Sequence, residues 1–229
     1  MRYVAVVLAA LTGVPSLASA MGDDVFTYGR IEGDVGTNDG DTVYSWDGVA
    51  WVGGDVNKIY LTTEGEADED EVDAAEVQLL WSRMIAPFWD LQAGVRHDFE
   101  PNGLSHAVLG IQGLAPYLFE IDAAAFLSED GDLSARAEVE YELLLTQRLI
   151  LSPDVEVNAY ANDIPELEVR AGIATVEANL RLRYEITRKI APYVEVSYER
   201  ALGDTADMRR TAGENTEETI FRAGFRIIF

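Results

Sequence analysis

Hydrophobic and polar residues alternate along most of the chain. From Ala174 to Ile186, the residues Ala174, Val176, Ala178, Leu180, Leu182, Tyr184 and Ile186 fall on one side of an extended backbone, and Thr175, Glu177, Asn179, Arg181, Arg183 and Glu185 on the other. Leu133, Ala135, Ala137, Val139, Tyr141 and Leu143 likewise oppose Ser134, Arg136, Glu138, Glu140 and Glu142. The last segment repeats the pattern with Phe221, Ala223, Phe225, Ile227 and Phe229 on the apolar side. A period of two marks β-strands with one apolar and one charged face. These runs exceed the roughly 5–6 residues usual in soluble sheets and meet the about 9–11 that a tilted membrane strand needs. Twelve strands are predicted, over 25–35, 43–52, 56–64, 74–83, 88–98, 106–113, 117–127, 133–144, 149–160, 174–186, 191–200 and 219–229. Ten is the alternative count, since an even number is expected. The predicted fold class is all-β, an antiparallel transmembrane β-barrel.

Connection lengths follow the same scheme. Short ones carry turn residues: Gly53-Gly54-Asp55, Ile85-Ala86-Pro87, Leu114-Ala115-Pro116, Thr146-Gln147-Arg148 and Thr187-Arg188-Lys189. Long ones, over 65–73, 99–105, 161–173 and 201–218, are polar and acidic. Short periplasmic turns and long external loops are the outer-membrane pattern, and the phase puts both chain ends in the periplasm. Ala86-Pro87-Phe88, Ala115-Pro116-Tyr117 and Ala191-Pro192-Tyr193 each follow a predicted short turn. Proline lacks a donor for the ladder and suits strand starts, so the aromatic after it is expected in an interfacial girdle.

The first twenty residues stand apart. Arg2, the apolar run 3–11, Pro15 and Ala18-Ser19-Ala20 compose a secretory signal peptide over 1–20, with the mature chain starting near Met21. A short acidic segment over 21–42, with a possible first strand, is expected to precede a barrel over 43–229. There is no cysteine, so disulfides do not hold the fold and a lipidated start is not expected. The net charge of -24 opposes nucleic-acid binding and favours cations. No later stretch reaches the roughly 18 apolar residues of a membrane helix. In lipid only helices and closed barrels satisfy every backbone group, so a membrane reading requires a barrel. The competing architecture is a soluble periplasmic β-protein with the apolar faces inside and the charged faces outside.

Three groups of residues could carry chemistry. His97 and His106, the only histidines, flank one predicted hairpin loop together with Asp98 and Glu100. Imidazole and carboxylate suit copper(II), zinc or nickel. By parity, however, His97 falls with the lipid-facing set and His106 with the lumen-facing set, so convergence needs a bulge. The second group is an acidic lumen of Glu138, Glu140, Glu142, Asp154 and Glu156, joined by Glu177, Glu185, Glu195 and Glu199. Arg136, Arg181, Arg183, Arg222 and Arg226 face the same interior, so the lumen is either a self-neutralising network or a cation pathway. A twelve-stranded barrel with these residues inside is expected to be narrow and partly plugged. The third is the acidic run 64–71, without the ligand order of an EF-hand, expected as a solvated loop. No enzyme is predicted. Ser105 and His106 are neighbours on a strand and point apart, and neither a GxSxG elbow nor a phosphate-binding glycine loop is present.

Several runs resemble the copper resistance protein B family. They are 53–58, Gly-Gly-Asp-Val-Asn-Lys; 63–66, Thr-Glu-Gly-Glu; 88–99, from Phe88-Trp89-Asp90 to His97-Asp98-Phe99; and 110–117, ending Ala115-Pro116-Tyr117. The segments 122–128, 141–151, 181–186 and 203–207 also fit, so the similarity runs from about Trp46 to Phe229. The resemblance implies an outer-membrane barrel of a Gram-negative cell, involved in copper resistance and homeostasis. It further implies copper ions as ligand or cargo, outer-membrane lipids as surroundings and periplasmic copper-handling proteins as partners. Family members often carry a Met- and His-rich segment ahead of the barrel. Here the four methionines, at 1, 21, 84 and 208, are dispersed. Without a thioether cluster to select copper(I), the residues favour copper(II). A narrow cation channel without copper specificity, or a purely structural surface barrel, is the alternative.

Overall fold

The computed structural model describes residues 24–38, 40–69 and 71–229. The predicted signal peptide lies outside them. The strands are β1 (Phe26–Asn38), β2 (Asp41–Gly53), β3 (Asn57–Ala67), β4 (Val72–Ala86), β5 (Trp89–Glu100), β6 (Leu104–Ala115) and β7 (Phe119–Ser128). They continue with β8 (Leu133–Tyr141, resumed at Leu143–Leu144), β9 (Leu149–Tyr160), β10 (Gly172–Tyr184), β11 (Ile190–Ala201) and β12 (Glu217–Ile228). All neighbours pair antiparallel, and β1 pairs with β12 to close a twelve-stranded barrel. The break in β8 falls across from Ser152 and Pro153, between the pairs Asp154↔Glu140 and Leu151↔Leu143. Proline has no N–H to give a ladder there.

Burial decides between the two architectures that the alternation allowed. Phe221 and Phe225 are 62% and 58% exposed, whereas Glu32, Arg183 and Arg226 are 3%, 3% and 9% exposed. The apolar faces point outward and the charged faces inward. This excludes the soluble alternative, because such an exterior needs hydrocarbon around it. No helix among the described residues is long and apolar enough to cross a membrane.

Four expectations change. The strand predicted over 25–35 is present as β1 and pairs in the closed barrel, so the barrel begins at Phe26 rather than at residue 43. Connections 65–73 and 99–105 shrink to 68–71 and 101–103, because β3 to β6 extend beyond their predicted bounds on the long-loop side. The acidic run 64–71 is therefore divided: Glu64 and Glu66 belong to β3, and Asp68 accepts the Glu71 N–H at 2.7 Å in a tight turn. Finally, Phe88 and Tyr117 are exposed at the turns, as a girdle requires, but Tyr193 is 3% exposed inside the barrel. Pro192 already lies within β11, and a residue later in the strand faces the other way.

The two long loops that remain sit together. In 161–171, Asp163 accepts the Ala171 N–H at 3.0 Å and pairs with Arg170 at 2.7 Å. In 202–216, helix α1 (Gly203–Ala212) ends on Gly213 at φ 83°, and the Thr205 hydroxyl accepts the Arg170 N–H at 2.9 Å.

Closure depends on one small residue. Gly29 and Phe229 exchange backbone hydrogen bonds at 3.2 and 3.0 Å, and a Cβ on Gly29 would lie 2.3 Å from the Phe229 ring. Gly29→Val is therefore expected to lower the yield of the compact, heat-modifiable form on gels, while the same change at Gly33, where the nearest atom is 3.9 Å away, leaves it intact. A second expectation concerns pH. The Ala171 N–H and then Arg170 hold the Asp163 carboxyl below the usual carboxylate range. A depressed folded pKa contributes stability above the unfolded value of about 3.9 and loses it as pH falls through the folded value. Proteolysis of 161–171 should thus accelerate below about pH 4, and Asp163→Asn should show the fast rate already at neutral pH.

Candidate functional site

The lumen is lined by two rows of directly opposed side chains. Hydrogen-bonded neighbours lie perpendicular to the strands, so in a tilted barrel each row climbs from one rim to the other. The first row is Arg226, Glu32, Asp47, Glu64, Glu76 and Asp98, on β12 and then β1 to β5. Every carboxylate in it meets an arginine. Glu32 receives Arg226 and Arg181, with Arg30 at 3.6 Å; Arg30 reaches Asp47 at 2.7 Å. Arg136 reaches both Glu64 and Glu76 at 3.3 Å, and Arg96 holds Glu76 at 2.8 Å and also Asp98.

Arg136 comes from β8, so these contacts with β3 and β4 cross the lumen. Its guanidinium and that of Arg96 lie 5.9 and 5.0 Å from the centre of the Phe126 ring. Phe126 packs with Leu80 and Val108, and Tyr60 rests against that cluster. Tyr28, Trp51 and Tyr60 form an aromatic series with centroids 6.1 and 6.2 Å apart. Around β10 to β12, Arg222 meets Glu66, Asp34 and Glu195, and Tyr193 donates to Asp34 at 2.7 Å. This wall is the self-neutralising network that the sequence offered as one alternative.

The second row has a different character. Asp122, Glu138, Glu156, Glu177, Glu199 and Glu218 stand opposite one another on β7 to β12. Directly opposed Cβ atoms lie about 4.5–5.5 Å apart, where like charges repel. Glu120, Glu140 and Asp154 form a parallel step toward the short-turn rim. Only Glu156, with Arg136 at 3.7 Å, and Glu199, with Arg209 of α1 at 3.5 Å, have an ion pair among the described residues. The row starts near the Pro116–Leu118 turn and ends beside the 202–216 loop, in a cavity of about 80 Å³ bordered by Glu66, Glu177, Glu199 and Glu218.

Of the predicted acidic lumen, Glu138, Glu140 and Asp154 thus have no ion pair among the described residues; Asp154 accepts a hydrogen bond from Asn179 at 2.9 Å. Glu156 shares Arg136, and Glu142 pairs with buried Arg183 at 2.6 Å. Parity could place these carboxylates in the lumen. It could not find the row, which needs the register of six strands.

The histidines do not converge. His97 lies on the outer face, where its Nδ1 is 3.1 Å from Ser105 Oγ and its ring meets Phe99 edge-on at 4.7 Å. His106 lies in the lumen, with Nδ1 3.8 Å from Asp98 Oδ2. No bulge interrupts β5–β6 pairing between Arg96↔His106 and His97↔Ser105, so the alternation holds and the wall separates the rings. The predicted set His97, Asp98, Glu100 and His106 is therefore not one site; Asp98 and His106 alone share a face. His106 is nine-tenths buried, and its Nδ1 has no hydrogen-bond partner. Among the described residues, no three His, Asp or Glu side chains form a closed metal cage. The His97–Ser105 contact is supplied by antiparallel pairing of β5 with β6, which the order of residues alone does not display.

A closed twelve-stranded antiparallel barrel with an apolar exterior and a charged lumen defines an outer-membrane barrel protein, and the outer membrane is its location. Solved structures agree on the fold. The NanC porin superposes with a TM-score of 0.61 at 15% identity, covering 86% of this chain and 98% of the porin. The outer membrane phospholipase A of Escherichia coli superposes at 0.51 and 10% identity, covering 92% and 96%. A fold shared by a porin and a phospholipase does not choose a function. The family does narrow it: the chain belongs to the copper resistance protein B family, described as Copper resistance protein B precursor (CopB), which matches residues 26–229. It is 46% identical over 187 residues to Copper resistance protein B of Escherichia coli, covering 81% of this chain and 63% of the relative. It is 40% identical over 193 residues to the Copper resistance protein B homolog of Pseudomonas syringae pv. tomato (strain ATCC BAA-871 / DC3000), covering 84% and 65%. The chain therefore spans less than two thirds of these relatives' length.

The two rows should respond differently to loss of charge. Glu32→Gln removes a buried carboxylate from three arginines, and breaking such a cluster costs about 3–5 kcal/mol. Glu138→Gln removes a carboxylate without a cationic partner. Urea unfolding in lipid vesicles should show a large loss for the first variant and none for the second.

Proposed function

We propose that the protein carries copper ions outward across the outer membrane along the row from Asp122 to Glu218. The observation behind this reading is the rim-to-rim row in which Asp122, Glu138, Glu177 and Glu218 have no ion pair among the described residues, set against the first row, of similar acidity, whose carboxylates all meet arginines. An ion entering at the short-turn rim meets carboxylates at each step. Shallow multiple sites allow entry and release, as conduction requires. Arg136 spans the lumen and narrows the path, as a barrel that does not leak needs.

Copper rather than cations in general is supported by family membership and by His106. Its unpartnered Nδ1 beside Asp98 offers the nitrogen and oxygen donors that copper(II) accepts. Oxygen donors alone do not discriminate among divalent ions, which keeps the general cation channel as the second reading. The Ser105–His97 contact carries no proposed catalysis: no carboxylate pairs with His97 among the described residues, so nothing orients its ring as a base.

In planar bilayers the protein is expected to pass cations in preference to anions. The triple variant Glu138→Gln, Glu156→Gln, Glu177→Gln should lose most of that preference, and Arg136→Gln should raise conductance. Absence of conductance from both the unmodified protein and Arg136→Gln would overturn the passage reading. Copper specificity is read separately, from tolerance of a deletion strain to copper, zinc and nickel. A defect confined to copper, reproduced by His106→Ala but not by His97→Ala, supports the copper reading. Equal defects for all three metals favour the general channel.

A further inference from the structure

Among the described residues, every Lys and Arg side chain forms an ion pair except Arg83, Arg148, Arg188 and Lys189. Arg83 belongs to β4, whereas the other three occupy the adjacent turns β8–β9 and β10–β11 at the short-turn rim. The two turns are built alike. The Thr146 hydroxyl accepts the Arg148 and Leu149 N–H groups at 3.2 and 2.9 Å, and the Thr187 hydroxyl accepts those of Lys189 and Ile190 at 3.2 and 3.1 Å. Such bonds fix a turn's backbone, so both turns present their basic residues from a preset frame.

Register puts these residues at the lumen mouth. Leu144 pairs with Ile150 and Ile150 with Arg183, and both Ile150 and Arg183 are buried on the inner face. The ladder continues where the Glu185 N–H donates to the Arg148 carbonyl at 2.8 Å, so Arg148 and Glu185 prolong that face to the rim. Between the turns lies an open cleft of about 540 Å³ bordered by Leu144, Gln147, Arg148, Glu185, Thr187 and Arg188. Arg148, Arg188 and Lys189 are exposed, and none of them forms an ion pair with Glu185. In a chain with a net charge of -24, this arc of the mouth is thus locally cationic.

Cations at the mouth repel a free metal ion within about 8 Å at physiological ionic strength, the reverse of what an entrance for bare ions needs. They attract anions, and the cleft has room for more than an inorganic one: about 540 Å³ falls in the roughly 300–1,000 Å³ range of sites that enclose a ligand of many atoms. The mouth opens on the periplasm, so its occupant comes from there. We propose that this arc docks an acidic segment of a periplasmic protein, with the segment's carboxylates on Arg148, Arg188 and Lys189. Guanidinium groups hold carboxylates through paired N–H donors, and Leu144, 67% exposed, offers apolar surface to the segment's aliphatic stems. Where it is joined to the passage reading, on which this step rests, the metal ion reaches the acidic row bound to an anionic carrier rather than free. Docking itself does not depend on passage.

The test is fluorescence anisotropy of a labelled polyglutamate peptide titrated with the folded, detergent-solubilised protein. Binding is expected, and it should weaken as salt rises, because exposed ion pairs are screened. Arg148→Gln, Arg188→Gln and Lys189→Gln together should lower the affinity roughly tenfold or more, the combined effect of three exposed ion pairs. Arg148→Lys with Arg188→Lys should keep most of it, and Arg170→Gln with Arg210→Gln at the opposite rim should leave it unchanged. Heat-modifiable migration checks that each variant folds. Unchanged affinity in the triple glutamine variant, or equal binding of a polyglutamine peptide, would overturn the proposal. So would complete displacement of the peptide by inorganic phosphate at equal concentration, which marks a small-anion site. A dimer of the protein that the triple variant dissolves would also overturn it, because the arc would then join two copies of this chain. Conductance of the same preparations is read separately: peptide binding without conductance supports docking and removes only the passage reading.

Discussion

Every backbone N–H and C=O within hydrocarbon needs a partner inside the protein, and the rest of this structure depends on that requirement. A strand meets it only with a neighbour on both sides, so the sheet has to close. Closure joins β1 to β12 over Arg30↔Ile228 to Thr37↔Phe221 and continues through the Gly29–Phe229 exchange. Once the sheet is closed, each strand has one face toward lipid and one toward the lumen. Charge then has only one place to go. An acidic chain folded this way concentrates its carboxylates in a narrow interior, where they repel one another unless something compensates.

The barrel answers that repulsion in two ways. From β12 through β5, arginines from several strands reach across to the acids, and the guanidinium of Arg136 ties opposite walls together. Removing one partner from a buried charge cluster of this kind leaves an uncompensated charge, even though the intact cluster adds little net stability. On β7 to β12 the acids outnumber the arginines that reach them, leaving attraction for mobile cations. The same sheet therefore carries a rigid wall and a wall with unspent electrostatic potential. Fold alone would not assign the roles, since barrels of this shape include a porin and a phospholipase. What separates this barrel from others of its shape is the asymmetry between its walls, together with its membership of the copper resistance protein B family.

Charge is also divided along the barrel axis. Free cations gather at the short-turn rim, while the acidic row ends at the long-loop rim beneath α1, where Arg209 meets Glu199. The thickness of one sheet separates the outer-face groups from those of the lumen, as His97 and His106 show.

Much of this was legible in the residue order. The alternation over 174–186 and 133–143 determined strands with one apolar and one charged face, and the lengths of those runs matched what a membrane strand needs, while the soluble alternative was decided only by which face the structure turns outward. Parity alone put His97 and His106 on opposite faces and Glu138, Glu140 and Asp154 in the interior, because side-chain direction in a strand is a local property of the backbone. Register is not local. Whether Glu156 stands against Glu177 or whether Arg136 reaches Glu64 depends on how distant strands are shifted against one another. The sequence by itself therefore determined the kind of wall and which residues line it. Only the tertiary structure decided which charges meet, because ion pairing acts over a few ångströms between residues far apart in the chain, and only closure of the barrel sets those distances.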